Sequence, residues 1–428
     1  ASTDSKMLLT WIKFSSQSKE FDWNDIPELF ETWKTFDFDN PDNLTHRSIM
    51  YWAKRTSPIE YIKIRENTVD YFIAQSLSMT EFDLANVLFN IYKDEFVCVS
   101  IKNNCWYEYK NNRWYEIDSG NSLRIKISTN MHDEYFNRMR KSTTKLTLID
   151  HDDPEYELLR KQTSKLSDIC NLCKTTQRKN NIMREARELF FDNDFIDKLD
   201  QNPYLLCFNN FVIDFKNKIH RKGQPDDYIS KCTNIDYMPL NKIKQGPIIN
   251  EITEFIRQLF PNKDLYKYML EHLASILVGT NENQTFNIYT GSGRNGKSKL
   301  VDLMSKCLGD YKGTVPITLI TQKRNSIGST SSEIVQLMGI RYAVMQEPSK
   351  GDKINEGIMK EITGGDPIQG RALFKDTVTF TPQFKLVVCT NTLFDIKSND
   401  DGTWRIIRVC DFESKFLENP YSDDDKFP

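Results

Sequence analysis

Eight consecutive residues, Gly291-Ser292-Gly293-Arg294-Asn295-Gly296-Lys297-Ser298, constrain this chain more than any other stretch. They fit the pattern G-x-x-x-x-G-K-[ST] without a mismatch. Such a turn works only where a strand delivers it and a helix continues from it. Its glycines let successive backbone N–H groups curl around phosphate oxygens at the positive end of that helix. The sequence offers both neighbours: Thr285-Phe286-Asn287-Ile288-Tyr289 reads as a short strand, and Leu300, Leu303, Met304 and Cys307 share one helical face beyond it. Lys297 is then the cation for the β and γ phosphates, and the Ser298 hydroxyl is a ligand for Mg²⁺. ATP and Mg²⁺ are the expected ligands of the loop from Gly291 to Ser298.

A phosphate loop needs a carboxylate at the end of a neighbouring strand to hold the metal and orient water. Tyr342-Ala343-Val344-Met345-Gln346-Glu347-Pro348 supplies Glu347 after an apolar strand. Phe384-Lys385-Leu386-Val387-Val388-Cys389 is another such strand, followed by Thr390 and by Asn391, which is suited to positioning water or sensing the γ-phosphate. Strand, glycine-rich turn, helix and further apolar strands predict a parallel α/β ATPase core. An amphipathic helix (Leu265, Tyr268, Met269, His272, Leu273, Ile276, Leu277) precedes it.

The rest of the chain divides by pattern. Residues 1–72 are rich in Trp and Phe, with helical spacing around Ile26-Leu29-Phe30-Trp33 and Ile49-Trp52-Ala53. Residues 73–244 open with a helical pattern (Leu84, Val87, Leu88, Ile91). Strand candidates follow at Val97–Ile101, Trp106–Tyr109 and Arg113–Tyr115, with Asn-Asn pairs suited to hairpin turns. Asp150-His151-Asp152-Asp153-Pro154 is a polar break, and Gln245-Gly246-Pro247 reads as the linker before a last segment, 245–428. Against 57 Lys and Arg stand 60 Asp and Glu, which excludes a uniformly basic coat but not a local basic face. Nine cysteines, an odd number in so long a chain, read as reduced thiols rather than a disulfide framework. No apolar run is long enough for a membrane span. The chain opens on Ala1-Ser2-Thr3-Asp4, without an initiator Met or an apolar signal core, and reads as cut from something longer.

These pieces, in this order, resemble the superfamily 3 helicases, and within them the helicase part of primase–helicases of large DNA viruses and phages. The family's loop of type G-x-G-x-N-G-K-S is followed by Arg, an apolar strand and Glu-Pro, here Arg341 to Pro348. A Gly-Gly-Asp segment comes next (Lys360 to Ile368), then an Arg and a hairpin Lys (Arg371, Lys375), the Asn-ended strand (Asn391), and Gly402-Thr403-Trp404-Arg405. Upstream, Asn202-Pro203-Tyr204-Leu205-Leu206 through Asn210-Phe211-Val212-Ile213-Asp214 looks like the signature of the domain preceding these helicases. Ser15–Lys19 with Tyr51-Trp52-Ala53 looks like the end of the linker that follows a primase module. The resemblance points to a nucleocytoplasmic large DNA virus, an asfarvirus or a relative.

The resemblance implies an α/β fold with a C-terminal AAA+-like P-loop ATPase core, preceded by mixed α+β domains. It implies a ring-forming homo-oligomer, a hexamer, that unwinds DNA at the fork in the host cytoplasm, with a primase module N-terminal to Ala1. It assigns Lys297, Glu347 and Asn391 to catalysis, Ser298 and Glu347 to the metal, and Arg405 to a finger completing a neighbour's site. Arg371, Phe374 and Lys375 become pore-hairpin contacts to DNA. Ile406 replaces the second Arg common after the Trp, leaving Arg408 as the other candidate finger; Gln346 stands where some members carry a second acid. The rival readings are a DNA-loading scaffold that docks a primase without unwinding, a packaging-type motor and a nucleotide kinase. Basic clusters at Arg138–Lys141 and from Lys174 to Arg187 read as solvated helix faces or a DNA-entry collar, and Cys170 and Cys173 as buried helix cysteines.

Overall fold

The computed structural model describes residues 8–18, 21–35, 53, 56–321, 331–345, 353–371, 377–393 and 400–418. The chain forms two compact units, one of residues 1–107 and 116–191, the other of residues 108–115 and 192–428.

Five helices, Pro58–Gln75, Glu81–Tyr92, His132–Leu146, Pro154–Lys174 and Thr176–Leu189, dominate the first unit. Thr80 caps one of them by accepting from the Asp83 N–H. At the expected polar break Asp153 caps the helix Pro154–Lys174, with Pro154 in its first turn, where the missing N–H costs nothing. Their apolar faces close over a core including Leu88, Trp106, Tyr135, Ile169 and Ile182. Strands β1 (Phe96–Ser100), β2 (Cys105–Lys110) and β3 (Arg113–Asp118) form a sheet in that order. Asn111 and Asn112, both left-handed at φ 50° and 67°, make the two-residue turn between β2 and β3. The loop between β1 and β2 is longer, and β1 ends one residue earlier than the pattern predicts.

The tip of the β2–β3 hairpin belongs to the second unit. There Trp114 is buried, donates its backbone N–H to Ile229 O at 2.7 Å and meets the Phe195 ring edge-on. Strands β4 (Leu205–Cys207), β5 (Val212–Asp214) and β6 (Ile219–Arg221) form a small antiparallel sheet in that order. The main sheet has five parallel strands: β7 (Phe286–Thr290), β8 (Lys312–Val315), β9 (Tyr342–Met345), β12 (Lys385–Cys389) and β13 (Ile407–Asp411). Their order is β13-β7-β12-β9-β8, and β10 (Ile368–Arg371) pairs with β11 (Thr377–Phe380) as a separate hairpin. Alternate residues feed two cores. Phe286, Ile288, Ala343, Met345, Leu386 and Val388 face one side; Tyr289, Tyr342, Val344 and Val387 face the other. A sheet covered on both faces requires continuous apolar strands, which is what the sequence carries.

Two local readings are corrected. Gln245-Gly246-Pro247 is not an extended linker; it lies inside the helix Lys242–Leu259. Proline's fixed φ fits a helix, and near its start only one backbone bond is forgone. Cys307 is exposed, and the buried stripe of the helix Lys297–Leu308 runs Leu300, Met304, Leu308, four residues apart. Residues 192–244, grouped by sequence with the middle segment, pack in the second unit with residues 245–428. The reason is a set of buried bonds: Arg341 donates to Pro203 O at 2.6 Å, Leu205 O at 3.1 Å and Asn202 O at 3.2 Å, and Gln383 to the carbonyls of Asp200 and Gln201 at 2.9 Å.

Candidate nucleotide site

The phosphate loop leaves β7 at Thr290 and enters its helix at Lys297. Gly291, Gly293 and Gly296 all have positive φ, at 149°, 95° and 79°. A Cβ on Gly291 would stand 2.1 Å from Asn295 Nδ2, and one on Gly296 would stand 2.3 Å from Leu259 Cδ2. Conformation and close approach both demand glycine at these two positions. The loop is tied from outside as well, since Phe416 N–H donates to Arg294 O at 2.8 Å.

Lys297 is buried, and its Nζ donates to Gly291 O at 2.7 Å and Asn391 Oδ1 at 3.1 Å. The parallel register explains how residues 94 positions apart meet. Cys389 stands beside Tyr289, so β12 and β7 release their chains at the same sheet edge. Thr390 shapes the turn that presents Asn391: its buried hydroxyl donates to Thr392 O at 2.6 Å and accepts from Thr392 N–H at 3.1 Å. Burial pushes the Cys389 thiol up to about 11, leaving it neutral beside the lysine. A cleft of about 650 Å³ opens here, lined by Gly293 to Ser298, Met345 and Asn391 among others. Asn295 is 3% exposed, and its Nδ2 is a buried donor without a hydrogen-bond partner among the described residues. An orphaned donor, left-handed glycines and a buried cation beside an open cleft fit a polyphosphate. Ser298 lines the same cleft, where a Mg²⁺ ligand would be needed.

The other expected site residues fall into three groups. Gln346, Glu347, Pro348, Phe374 and Lys375 lie outside the described residues. The strand leading to Glu347 is described, and Met345 pairs with Val388, so β9 also ends at the loop's edge of the sheet. Arg371 closes the β10–β11 hairpin opposite Thr377 and is exposed. Arg405 lies at the other edge of the sheet from its own phosphate loop. Ile407 pairs with Phe286 at the start of β7, whereas Asp411 pairs with Thr290 at its end. At roughly 3.3 Å per residue, that puts Arg405 more than ~13 Å along the strand direction from the loop. Its Nη2 donates to Gln284 Oε1 at 3.0 Å. Arg408 donates to the Arg405 and Ile407 carbonyls at 2.7 and 2.9 Å.

Sequence reasoning named the buried cations at that opposite edge only as parts of strand motifs, with no role assigned to them. Arg341 is 1% exposed, and burial lowers its pKa to about 10. Lys385, 4% exposed, donates to Thr280 O and is lowered to about 8 by burial. A lone cation inside an otherwise apolar strand was the available signal. The basic clusters of the first unit are partly neutralised: Arg138 pairs with Asp70 and with Glu134 at 2.6 Å, and Arg178 with Glu81 at 2.5 Å. Cys170 and Cys173 are buried in the helix Pro154–Lys174.

The D5 N terminal like family matches residues 85–261, and a family of unknown function, DUF5906, matches residues 289–408. "Putative helicase L207/L206" of Acanthamoeba polyphaga mimivirus is 36% identical over 423 residues, covering 97% of this chain and 43% of that protein. This chain resembles the helicase region of viral primase–helicases. "Putative helicase 022R" of Frog virus 3 is 25% identical, with 95% of this chain and 50% of that protein covered. "Putative primase C962R" of African swine fever virus (isolate Pig/Kenya/KEN-50/1950) is 25% identical, with 92% and 43% covered, so the asfarvirus relative is less similar than the mimivirus one. The chain spans half or less of the length of these relatives. The solved apo structure of the NrS-1 C terminal region is 17% identical over 38% of each chain, with a TM-score of 0.31, too slight a likeness to carry an argument. No helix among the described residues is long and apolar enough to cross a membrane.

Proposed function

We propose that the chain is an ATP-driven DNA helicase acting in viral replication, with an AAA+-like core that works as a ring of identical subunits, a hexamer, in the host cytoplasm. The observation that carries this reading is Lys297, held between Gly291 O and Asn391 Oδ1 at the edge of a large cleft. The Gly291 carbonyl and the Asn391 amide are weaker acceptors than phosphate oxygens, so an arriving triphosphate displaces them from the ammonium. The backbone N–H groups of the loop and the Asn295 amide bind the phosphates, and Asn391, released from the lysine, is left to orient the attacking water. Mg²⁺ when bound, held by Ser298 and Glu347, neutralises charge developing on the phosphates.

Arg405 serves a neighbour in this scheme, since its place at the far edge of its own sheet keeps it from its own loop. Arg371 and Lys375 grip the DNA backbone, a contact indifferent to sequence, and Phe374 stacks on a base. A primase module of the same polypeptide and duplex DNA at the fork are the partners.

Forked duplex with a labelled strand is the test. The wild-type chain should separate it with ATP and Mg²⁺, whereas Glu347→Gln should still bind ATP but lose hydrolysis and strand separation, each by ~10²-fold or more. ATP hydrolysis with DNA binding but no unwinding, under conditions where rings form, points instead to the scaffold reading.

A further inference from the structure

The segment Phe215-Lys216-Asn217-Lys218-Ile219-His220-Arg221-Lys222 carries four cations and a histidine within eight residues. It forms the turn and outer strand of the small β4–β5–β6 sheet in the second unit, where Ile213 pairs with His220. Asp214 fixes the turn by accepting from Asn217 N–H at 3.0 Å and Nδ2 at 2.7 Å, and Lys218 completes it in the left-handed region at φ 55°. Strand alternation separates the charges. Arg221 is engaged by Asp227 through two bonds of 2.6 and 2.8 Å. His220 and Lys222 belong to the other face. There the exposed His220 ring meets Phe211 at 5.3 Å and Tyr237 at 5.2 Å, and Tyr237 in turn meets Phe208 at 5.5 Å. Lys222 Nζ lies 4.7 Å from the Phe211 ring centre and donates to Asn210 O at 2.9 Å, which uses one of its three donors.

Half-buried aromatic rings with an ammonium group held against them are what unpaired bases and their phosphates require together. We propose that this hairpin face binds single-stranded nucleic acid, with His220 and Tyr237 stacking on bases while Lys218 and Lys222 contact the flanking phosphates. It rests on the reading that the chain acts on DNA, and adds a contact surface remote in sequence from the β10–β11 hairpin. Stacking and phosphate contact are both indifferent to sequence, so the face tracks a strand rather than recognising a site. Asp236, exposed next to Tyr237 in the chain, is an acid whose charge would oppose the strand.

The test is fluorescence anisotropy of the 428-residue chain with labelled oligo-dT and oligo-rU of about 20 nucleotides at several salt concentrations, the two arms telling DNA from RNA. His220→Ala should weaken binding about tenfold, and His220→Tyr, which keeps a flat ring, should restore it to within about twofold. Lys218→Glu with Lys222→Glu should weaken binding further and flatten the salt dependence, and Asp236→Asn should tighten binding. Oligonucleotides carrying 5-iodouracil should crosslink to His220 or Tyr237 in the wild type, a measurement that needs no variant to fold. Wild-type affinity in the His220→Ala and double-Glu chains, equal losses in His220→Ala and His220→Tyr, or crosslinks confined to other segments would overturn the proposal. If the variants lose affinity for anionic phospholipid vesicles and not for either strand, the face is a membrane contact and the proposal falls. A wild-type chain that binds neither strand defeats the DNA reading itself, whereas strong binding untouched by these substitutions defeats only the hairpin's part in it.

Discussion

The five-stranded sheet buries cations at both edges, and the two edges use them in opposite ways. At the edge where the strands end, Lys297 donates to the Gly291 carbonyl and the Asn391 amide and adjoins a cleft of about 650 Å³. At the edge where they begin, Arg341 is committed to three backbone carbonyls and Lys385 to one, and the cavity beside Arg341 and Gln383 measures about 10 Å³, room for no more than a water. Burial of a charge therefore does not mark a site by itself. A buried cation beside an open cleft is placed to meet a ligand, whereas one closed in against backbone carbonyls is a fastener.

If that distinction holds, substitutions at the two edges separate activity from stability. The largest effect belongs to Lys297→Ala, which should lower ATP hydrolysis by ~10³-fold or more, with thermal unfolding barely displaced; a comparable loss of thermal stability would show that Lys297 too is a fastener. Next comes a rescue. Inactive Lys297→Ala chains mixed with inactive Arg405→Ala chains should recover part of the hydrolysis, because some boundaries then pair an intact loop with an intact arginine. Mixed rings without activity at any ratio would remove Arg405 from a neighbour's site. Arg341→Met should leave the ATP affinity of the surviving folded protein intact while costing about 3 kcal/mol of stability, since the carbonyls of Asn202 and Leu205 lose their donor. Chemical denaturation would measure it.

The smallest effect is a pH dependence. Lys385 is lowered to about 8 from an ordinary 10.5, so between these values the unfolded chain holds a proton that the folded one lacks. Stability should then rise with pH, by about 1 kcal/mol from pH 7 to 9. Lys385→Met, which removes the buried charge, should flatten that slope; an unchanged slope assigns the effect elsewhere.

The strand–turn–helix around Gly291 to Ser298 was legible because its pattern is local: eight neighbouring residues, a strand before and a helix after. The approach of Asn391 to Lys297 was legible only as a strand-end pattern, since the register of β12 against β7 is what brings them together. The role of the fasteners was not legible, although Arg341 and Lys385 stood as cations at the heads of apolar runs. Arg341 meets partners 136 to 139 positions away through backbone carbonyls, which carry no side-chain signature. Periodicity failed where it was sampled over too few turns, as with Cys307, and glycine–proline punctuation misled at residues 245–247, where a helix absorbs both. The segment from Lys216 to Lys222 escaped notice because alternation splits its charges between two faces, and only the fold shows which face gathers the rings.

The hairpin turn at Asn111 and Asn112 bears on how the protein is made. Its tip, residues 108–115, finds its place only among residues 192–428. During synthesis Trp114 must wait for Phe195 and Ile229, the latter 115 residues downstream, to emerge before its ring and backbone are satisfied. At roughly 5–20 residues per second the wait is on the order of ten seconds, with a large aromatic side chain exposed to misassembly or to a chaperone. A chain expressed from residue 192 onward would lack that hairpin, and with it the contacts of Trp114 to Phe195 and Ile229.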